Sequence, residues 1–389
     1  KSTTTQLLEC CYDWNLGLKS HREVNIAYLD FAKAFDTVVH SKLIAKLECY
    51  NVNAALITWI KCFLSNRLQF VKIGNSCSST CSVISGVPQG SVLGPVLFIV
   101  YINDISDCVL RGSKMKLYAD DAKVYTVIDD LNSQAILQKS LDSVLAWSRH
   151  WQLALSESKC AVLHLSVGVN HSGLREYFIS DYRLPVIDCF TDLGVTFNSK
   201  FNFSSHIDKI SHRASLRAKL ILKCFSTRNV DILKCAFCTF VRPLLEYASV
   251  VWNPHYKKDI NKIESVQRRF TKFLPGQYCS SYEQRLNNLG LESLNRRRLT
   301  ADLVMCYKIL HGLLDVDATQ FFVRSQNHRT RGNSKRLIKS HCTSNRDSSL
   351  FWNRTVTVWN SLPDCIIVSQ SVNCFKARLA SFDLSRFLV

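Results

Sequence analysis

The chain has 389 residues, 47% of them apolar and 21% charged, with a formal charge of +18. That is the composition of a folded chain with one large core or two to three smaller ones, and it holds no internal repeat or low-complexity tract. No apolar run of roughly 18 residues occurs, so no membrane-spanning helix is expected; the opening Lys1-Ser2-Thr3-Thr4-Thr5-Gln6 lacks a starting Met and a signal-peptide core and reads as cut from a longer chain.

Residues 1–20 suggest a helix with Leu7, Leu8, Cys11 and Trp14 on one side. An apolar strand follows over 24–30, then a helix through Ser41–Leu47 and another over 53–64. Alternating Phe70, Val71 and Ile73 before Gly74-Asn75 predict a hairpin over 68–84. Ser85 to Gly94 is a loop punctuated by Gly and Pro, leading into an apolar helix from Val96 to Asp104. A second hairpin covers 114–127, with Tyr118-Ala119-Asp120-Asp121 at its turn. An amphipathic helix from about Asn132 to Gln152 and a strand over 160–166 complete this part. Such an order predicts an α+β fold, a small antiparallel sheet backed by helices.

From about residue 203 the pattern is helix after helix, over 203–225, 229–246, 258–274, 282–288 and 292–311. Basic residues crowd their polar faces, among them Lys209, Arg213, Arg217, Arg268, Arg269 and the run Arg296-Arg297-Arg298. A polar, basic segment spans Arg324 to Arg346, and a compact apolar stretch with Phe351, Trp352 and Trp359 follows. Residues 1–170 hold 16 basic against 14 acidic residues, whereas residues 171–389 hold 33 against 17. A near-neutral first half and a strongly basic second half suit a second half that grips a phosphate backbone, or one whose helices are merely well solvated. The seventeen cysteines show no zinc-finger spacing and are expected to be free thiols.

The chemistry concentrates at three carboxylates. Adjacent aspartates in a turn repel each other, so Asp120 and Asp121 call for a bound cation. Asp30 ends the strand Ile26-Ala27-Tyr28-Leu29. Carboxylates on neighbouring strand ends are what a two-Mg²⁺ phosphoryl-transfer site requires. Asp30 and Asp120 are assigned as bridging ligands and Asp121 as the weaker third, with the Phe31 carbonyl completing the shell. Each site alone also fits a plainer reading, a turn dipeptide or a helix N-cap.

Three segments together resemble the reverse transcriptases of non-LTR (LINE-type) retrotransposons, most closely the jockey/CR1 kind. Leu29-Asp30-Phe31-Ala32-Lys33-Ala34-Phe35-Asp36-Thr37-Val38-Val39-His40 resembles their first catalytic motif. Gly86-Val87-Pro88-Gln89-Gly90-Ser91 and the residues to Phe98 resemble the second, and Tyr118-Ala119-Asp120-Asp121 the third. The resemblance implies a right-hand polymerase: a palm with residual fingers over 1–198, a helical thumb over 199–312 and a basic, aromatic extension over 313–389. The fingers that should precede this palm are largely missing.

Site roles follow by matching position. Asp30, Asp120, Asp121 and Lys159 are implied to be catalytic, Lys159 as the cation that protonates the leaving pyrophosphate. Phe35 is implied to be the wall that rejects a 2′-hydroxyl. Phe31, Gln89, Gly90 and Tyr118 are implied to border the nucleotide. Asp192-Leu193-Gly194-Val195 resembles the hairpin that supports the primer end, with Leu193 and Gly194 at its turn. The implied cofactor is Mg²⁺, two ions, with Mn²⁺ a possible substitute. Implied partners are an RNA template, a DNA primer and deoxynucleoside triphosphates, with no membrane. Action in the nucleus, after a cytoplasmic ribonucleoprotein stage and without secretion, is implied likewise. Two other readings are an RNA-templated RNA polymerase that shares the palm, and a degenerate or co-opted copy that binds nucleic acid without polymerising.

Overall fold

A computed structural model describes residues 1–166, 176–325, 335–342 and 344–388. In chain order its first half contains α1 (Thr3–Lys19), β1 (Glu23–Leu29), α2 (His40–Cys49), α3 (Ala54–Leu64), β2 (Leu68–Gln69), β3 (Lys72–Ile73), β4 (Ser76–Cys77), β5 (Cys81–Ser82) and α4 (Leu93–Ile102). Then come β6 (Ser113–Tyr118), β7 (Asp121–Ile128), α5 (Leu131–Trp151), β8 (Ala161–Leu165), β9 (Phe178–Ile179), β10 (Tyr182–Arg183) and β11 (Val186–Ile187). By packing, the chain forms two units: residues 20–189, and residues 1–19 together with 190–389.

In the 20–189 unit the sheet order is β11-β8-β1-β7-β6. β1 is central because it is apolar on both faces, Val24, Ile26 and Tyr28 on one and Ala27 and Leu29 on the other, and every residue in it is buried. The sheet is antiparallel, as expected, except for the short edge strand β11, which joins β8 in parallel. Ala27 and Leu29 share one core with Leu137, Leu141 and Val144 of α5. α5 begins where Asp130 accepts the Ser133 backbone N–H at 2.8 Å and ends where Gln152 turns left-handed. Inside the sheet the buried Asn25 donates to the Tyr177 hydroxyl at 2.7 Å and meets His164 Nδ1 at 2.6 Å, so a polar residue in the core is satisfied.

The expected 68–84 hairpin is present with one irregularity. β3 pairs β4 around Gly74-Asn75, but β2 pairs β5 in a register offset by a residue, which is a bulge between the two short ladders. Its apolar residues Leu68, Val71 and Ile73 are exposed.

The other unit holds the hairpin β12 (Cys189–Asp192) and β13 (Val195–Asn198), whose first residue falls at the division. Its helices are α6 (Ser204–Cys224), α7 (Val230–Phe240), α8 (Arg242–Glu246), α9 (Ser249–Trp252), α10 (Lys257–Lys272), α11 (Tyr282–Leu289) and α12 (Leu294–Leu310). The single helix expected over 229–246 is two, because Pro243 has no N–H to donate and starts a new turn. α1 belongs here by packing: Trp14 meets Phe197 edge-on at 5.2 Å, and Lys19 pairs with Asp347 at 3.2 Å. This grouping cuts across the expected boundary at residue 198. The aromatic stretch is α15 (Phe351–Ser361), reached after the short α13 (Ala318–Phe321) and α14 (Asn345–Ser349), and it packs against α12. α16 (Asp364–Ile367) and α17 (Val372–Ala380) close the chain. Part of the expected basic segment, residues 326–334, lies outside the described residues.

Candidate active site

The site is built at the end of β1. Leu29 pairs with Ala122 in the last rung of the β1–β7 ladder, so Asp30 follows directly on β1 and Asp121 directly precedes that rung at the start of β7. β6 and β7 close on the pair Tyr118–Asp121, leaving Ala119-Asp120 as a two-residue turn. Ala119 takes φ +54, a left-handed conformation costing a residue with a Cβ roughly 1 kcal/mol. The turn therefore stores strain beside the aspartates.

Asp30 is held from its other side as well. Its carbonyl accepts the Ser156 N–H at 2.7 Å and its own N–H donates to the Cys160 sulfur at 3.5 Å. The Ala32 N–H donates to the Ala154 carbonyl at 2.8 Å, and Phe31 bridges Leu155. Burial raises the Cys160 thiol, which stays neutral against Asp30. Lys159 stands in the turn beyond this segment, its ammonium 3.2 Å from Asp30 Oδ2. Solvent does not reach that oxygen, although the Asp30 side chain as a whole is 39% exposed.

A loop borders the site. Gly86 N–H donates to the Val38 carbonyl and Val87 N–H to the Phe35 carbonyl, each at 2.8 Å. Ser85 Oγ donates to the Asp36 carbonyl at 2.9 Å, and His40 Nε2 to the Gly86 carbonyl at 2.7 Å. Gly86 is obligatory: its φ is +86, and a Cβ there would lie 2.8 Å from the Asp36 backbone. These bonds lay the loop along residues 35–40, where Gln89 Nε2 donates to Asp36 Oδ1 at 2.9 Å. The Phe35 ring stacks on Phe98 with centroids 4.3 Å apart. Between this loop, residues 33–40 and the β2–β5 ladder is a cavity of about 530 Å³ lined in part by Lys33, Asp36, His40, Arg67, Gln69 and Gln89.

The structure thus sets Asp30 and Asp121 on either side of the last β1–β7 rung beside Asp120, puts Lys159 on Asp30, and seats Phe35 and Gln89 on adjoining segments. Gly90 is exposed with φ +82, and Tyr118 ends β6, partly exposed. The Phe31 ring is buried in the core, so only its backbone is left to face a ligand. Asp36 and His40 were not singled out from sequence, although both lie within the first motif; their roles appear only once the 85–89 loop lies against them. Leu193 and Gly194 form a left-handed turn in the other unit, φ +45 and +82. The Tyr247 hydroxyl bonds the Leu193 carbonyl at 3.0 Å, and its ring fills the space beside Gly194.

One expected basic face is not free. Arg297 forks onto Glu246, Arg296 pairs with Glu292 at 3.1 Å, and Arg298 is 1% exposed with its Nε on Asn253. These three arginines hold helices together, and burial depresses Arg298 to about 10. On α6, Lys209, Arg213, Arg217, Lys219 and Lys223 are exposed, as are Arg268, Arg269 and Lys272 on α10.

For a divalent cation the donor set is right in kind, hard carboxylate oxygens from two adjacent strands and their turn. Among the described residues no three acidic, His or Cys side chains converge as ligands. Asp30 Oδ2, shielded from water and facing only an ammonium, is an oxygen that a cation suits.

Residues 5–219 match the family described as "Reverse transcriptase (RNA-dependent DNA polymerase)". The chain is 28% identical over 268 residues to an RNA-directed DNA polymerase from the mobile element jockey of Drosophila melanogaster, covering 64% of this chain and 28% of that protein. It is 26% identical over 261 residues to a probable RNA-directed DNA polymerase from the X-element transposon of the same organism, covering 65% and 28%. A solved telomerase from Candida albicans overlays 76% of this chain and 51% of its own at a TM-score of 0.35 and 11% identity. The chain thus spans little more than a quarter of the length of the two Drosophila relatives.

Proposed function

The chain belongs to the reverse transcriptase (RNA-dependent DNA polymerase) family, and from that premise we propose that it forms the polymerising centre that extends a DNA primer on an RNA template with deoxynucleoside triphosphates. The observation that carries the proposal is that Asp30 and Asp121 flank the last β1–β7 rung, Leu29–Ala122, beside the Asp120 turn. Those three carboxylates would hold Mg²⁺, which when bound neutralises triphosphate charge and activates the primer hydroxyl.

The remaining roles are the chain's own. Phe35, backed by Phe98, cannot move aside and walls off a 2′-hydroxyl. Gln89, aimed by Asp36, contacts the incoming nucleotide, with Gly90 and Tyr118 beside it. Lys33 and Arg67 line the adjoining cavity with positive charge suited to phosphates. Lys159 supplies a cation to the leaving pyrophosphate. The Leu193-Gly194 turn supports the primer end, and the exposed basic faces of α6 and α10 lie along the duplex backbone, positioning it without reading sequence. We assign the reaction to the nucleus, with a chromosomal 3′ end as primer.

Primer extension on an RNA template tests this, with the chain beside its Asp120→Asn/Asp121→Asn variant. Deoxynucleotide incorporation in Mg²⁺ that the double substitution abolishes is the expected result. Incorporation that survives the substitution would overturn the assignment.

A further inference from the structure

We infer that Lys159 is the site's built-in counter-ion: it occupies the inner oxygen of Asp30 while no divalent cation is bound, and metal enters by displacing it. The inference rests on the proposed reading of Asp30 as a metal ligand. Its own ground is the contrast between the two partners of the 3.2 Å pair.

Asp30 is the fixed partner. Its backbone is bonded to Ser156 and to the Cys160 sulfur and follows directly on the central strand β1. Its Oδ2 is out of reach of water and faces the Lys159 ammonium. The Asp30 side chain as a whole is 39% exposed, but this oxygen is turned inward, where a cation is its natural partner.

Lys159 is the movable partner. Its backbone is anchored by the Lys159 N–H to Ser156 carbonyl bond at 2.9 Å, but its side chain is 69% exposed. The four-carbon stem can swing the ammonium into water at little cost, since an ion pair this exposed contributes little. An ammonium and a divalent ion close together on one oxygen repel each other, so the two compete for Asp30. Once displaced, the ammonium is still tethered next to the site and is free to meet phosphate oxygens. Metal loading and delivery of the lysine are thereby one event: the cation reaches the triphosphate only after the metal has taken its place on Asp30.

Mn²⁺ binding followed by the loss of its free-ion paramagnetic resonance signal tests this on the whole chain, without nucleic acid or turnover. Lys159→Met is expected to bind Mn²⁺ about two- to fivefold more tightly than the unsubstituted chain, the range set by an exposed ion pair. Lys159→Arg, which keeps the competing cation, is expected to bind as the unsubstituted chain does. Lys33→Met, which removes a nearby exposed charge that is not on Asp30, is expected to change binding less than Lys159→Met. The gain should vanish when Asp30→Asn is added. If Asp30→Asn removes Mn²⁺ binding but Lys159→Met binds no tighter, or Lys33→Met tightens it equally, the counter-ion inference fails and the metal-ligand reading stands. If Asp30→Asn leaves Mn²⁺ binding unchanged, Asp30 is no ligand, and the metal-ligand reading falls with the inference.

Discussion

Gln89 donates its side-chain amide to Asp36 at 2.9 Å, so the residue assigned to the incoming nucleotide is aimed by a carboxylate of the first motif. Asp36 is exposed and holds nothing together in the core. Its removal should therefore appear in substrate binding before it appears in stability. Asp36→Ala is expected to raise KM for deoxynucleotides about two- to tenfold, the worth of one hydrogen bond to a charged acceptor, with kcat changed less. Asp36→Asn, which still accepts from the amide, is expected to stay near the starting value. Steady-state extension kinetics separate the two.

The loop that carries Gln89 depends on Gly86. With φ +86 and Asp36 backbone atoms 2.8 Å from any Cβ, Gly86→Ala must displace one of the two segments. A loss of about 1–3 kcal/mol in urea denaturation is expected. His40→Ala leaves the Gly86 carbonyl without its donor and is expected to cost about 1 kcal/mol.

Phe35 is packing as well as the proposed wall. Phe35→Val removes the stack on Phe98 and would open room for a 2′-hydroxyl. Stability is expected to fall by about 1–3 kcal/mol for this half-buried ring. The ratio of ribonucleotide to deoxynucleotide kcat/KM is expected to rise about tenfold or more, read by single-nucleotide extension. An unchanged ratio would remove Phe35 from the specificity role.

These positions show what a sequence can and cannot carry. The strand ending at Asp30 and the hairpin ending at Asp121 were legible because alternation and a turn are local, and their lengths put both carboxylates at strand ends. That the two carboxylates flank one rung, Leu29–Ala122, is a register, set by pairing between segments far apart in the chain. Asp36 lies inside the first motif and Lys159 is matched by position, yet their partners, Gln89 and Asp30, are contacts that no spacing announces. Arg296-Arg297-Arg298 misled for the same reason: a charge run looks solvated until Glu246, Glu292 and Asn253 are found against it. Pro243 did announce the break between α7 and α8, and apolar periodicity on both sides of it concealed that signal. α1 was legible as a helix, but not the unit it packs into, because Trp14 and Tyr12 find their aromatic partners far along the chain.

His206 gives the α6 unit a pH dependence. Its Nδ1 accepts the Thr196 N–H at 3.2 Å, and burial, with Lys209 adding to it, lowers its pKa from 6.5 to about 4. The folded state resists a proton that the unfolded chain accepts, so the stability this residue contributes is complete above about pH 6.5 and is lost as pH falls toward 4. On the order of 2 kcal/mol should disappear between pH 7.5 and 5. His206→Asn keeps an acceptor for Thr196 but does not titrate, and denaturation midpoints at the two pH values should lie closer together for it.

The central claim is that Asp30 and the Asp120–Asp121 turn hold one metal site between them, and iron-directed backbone cleavage tests it without requiring turnover. With Fe²⁺ in place of Mg²⁺ and ascorbate with peroxide to generate radicals at the bound ion, cuts are expected near residue 30 and near residues 119–121. Asp30→Asn alone should abolish both. Cuts confined to one of the two segments, or a turn cut that persists without Asp30, would contradict a shared site.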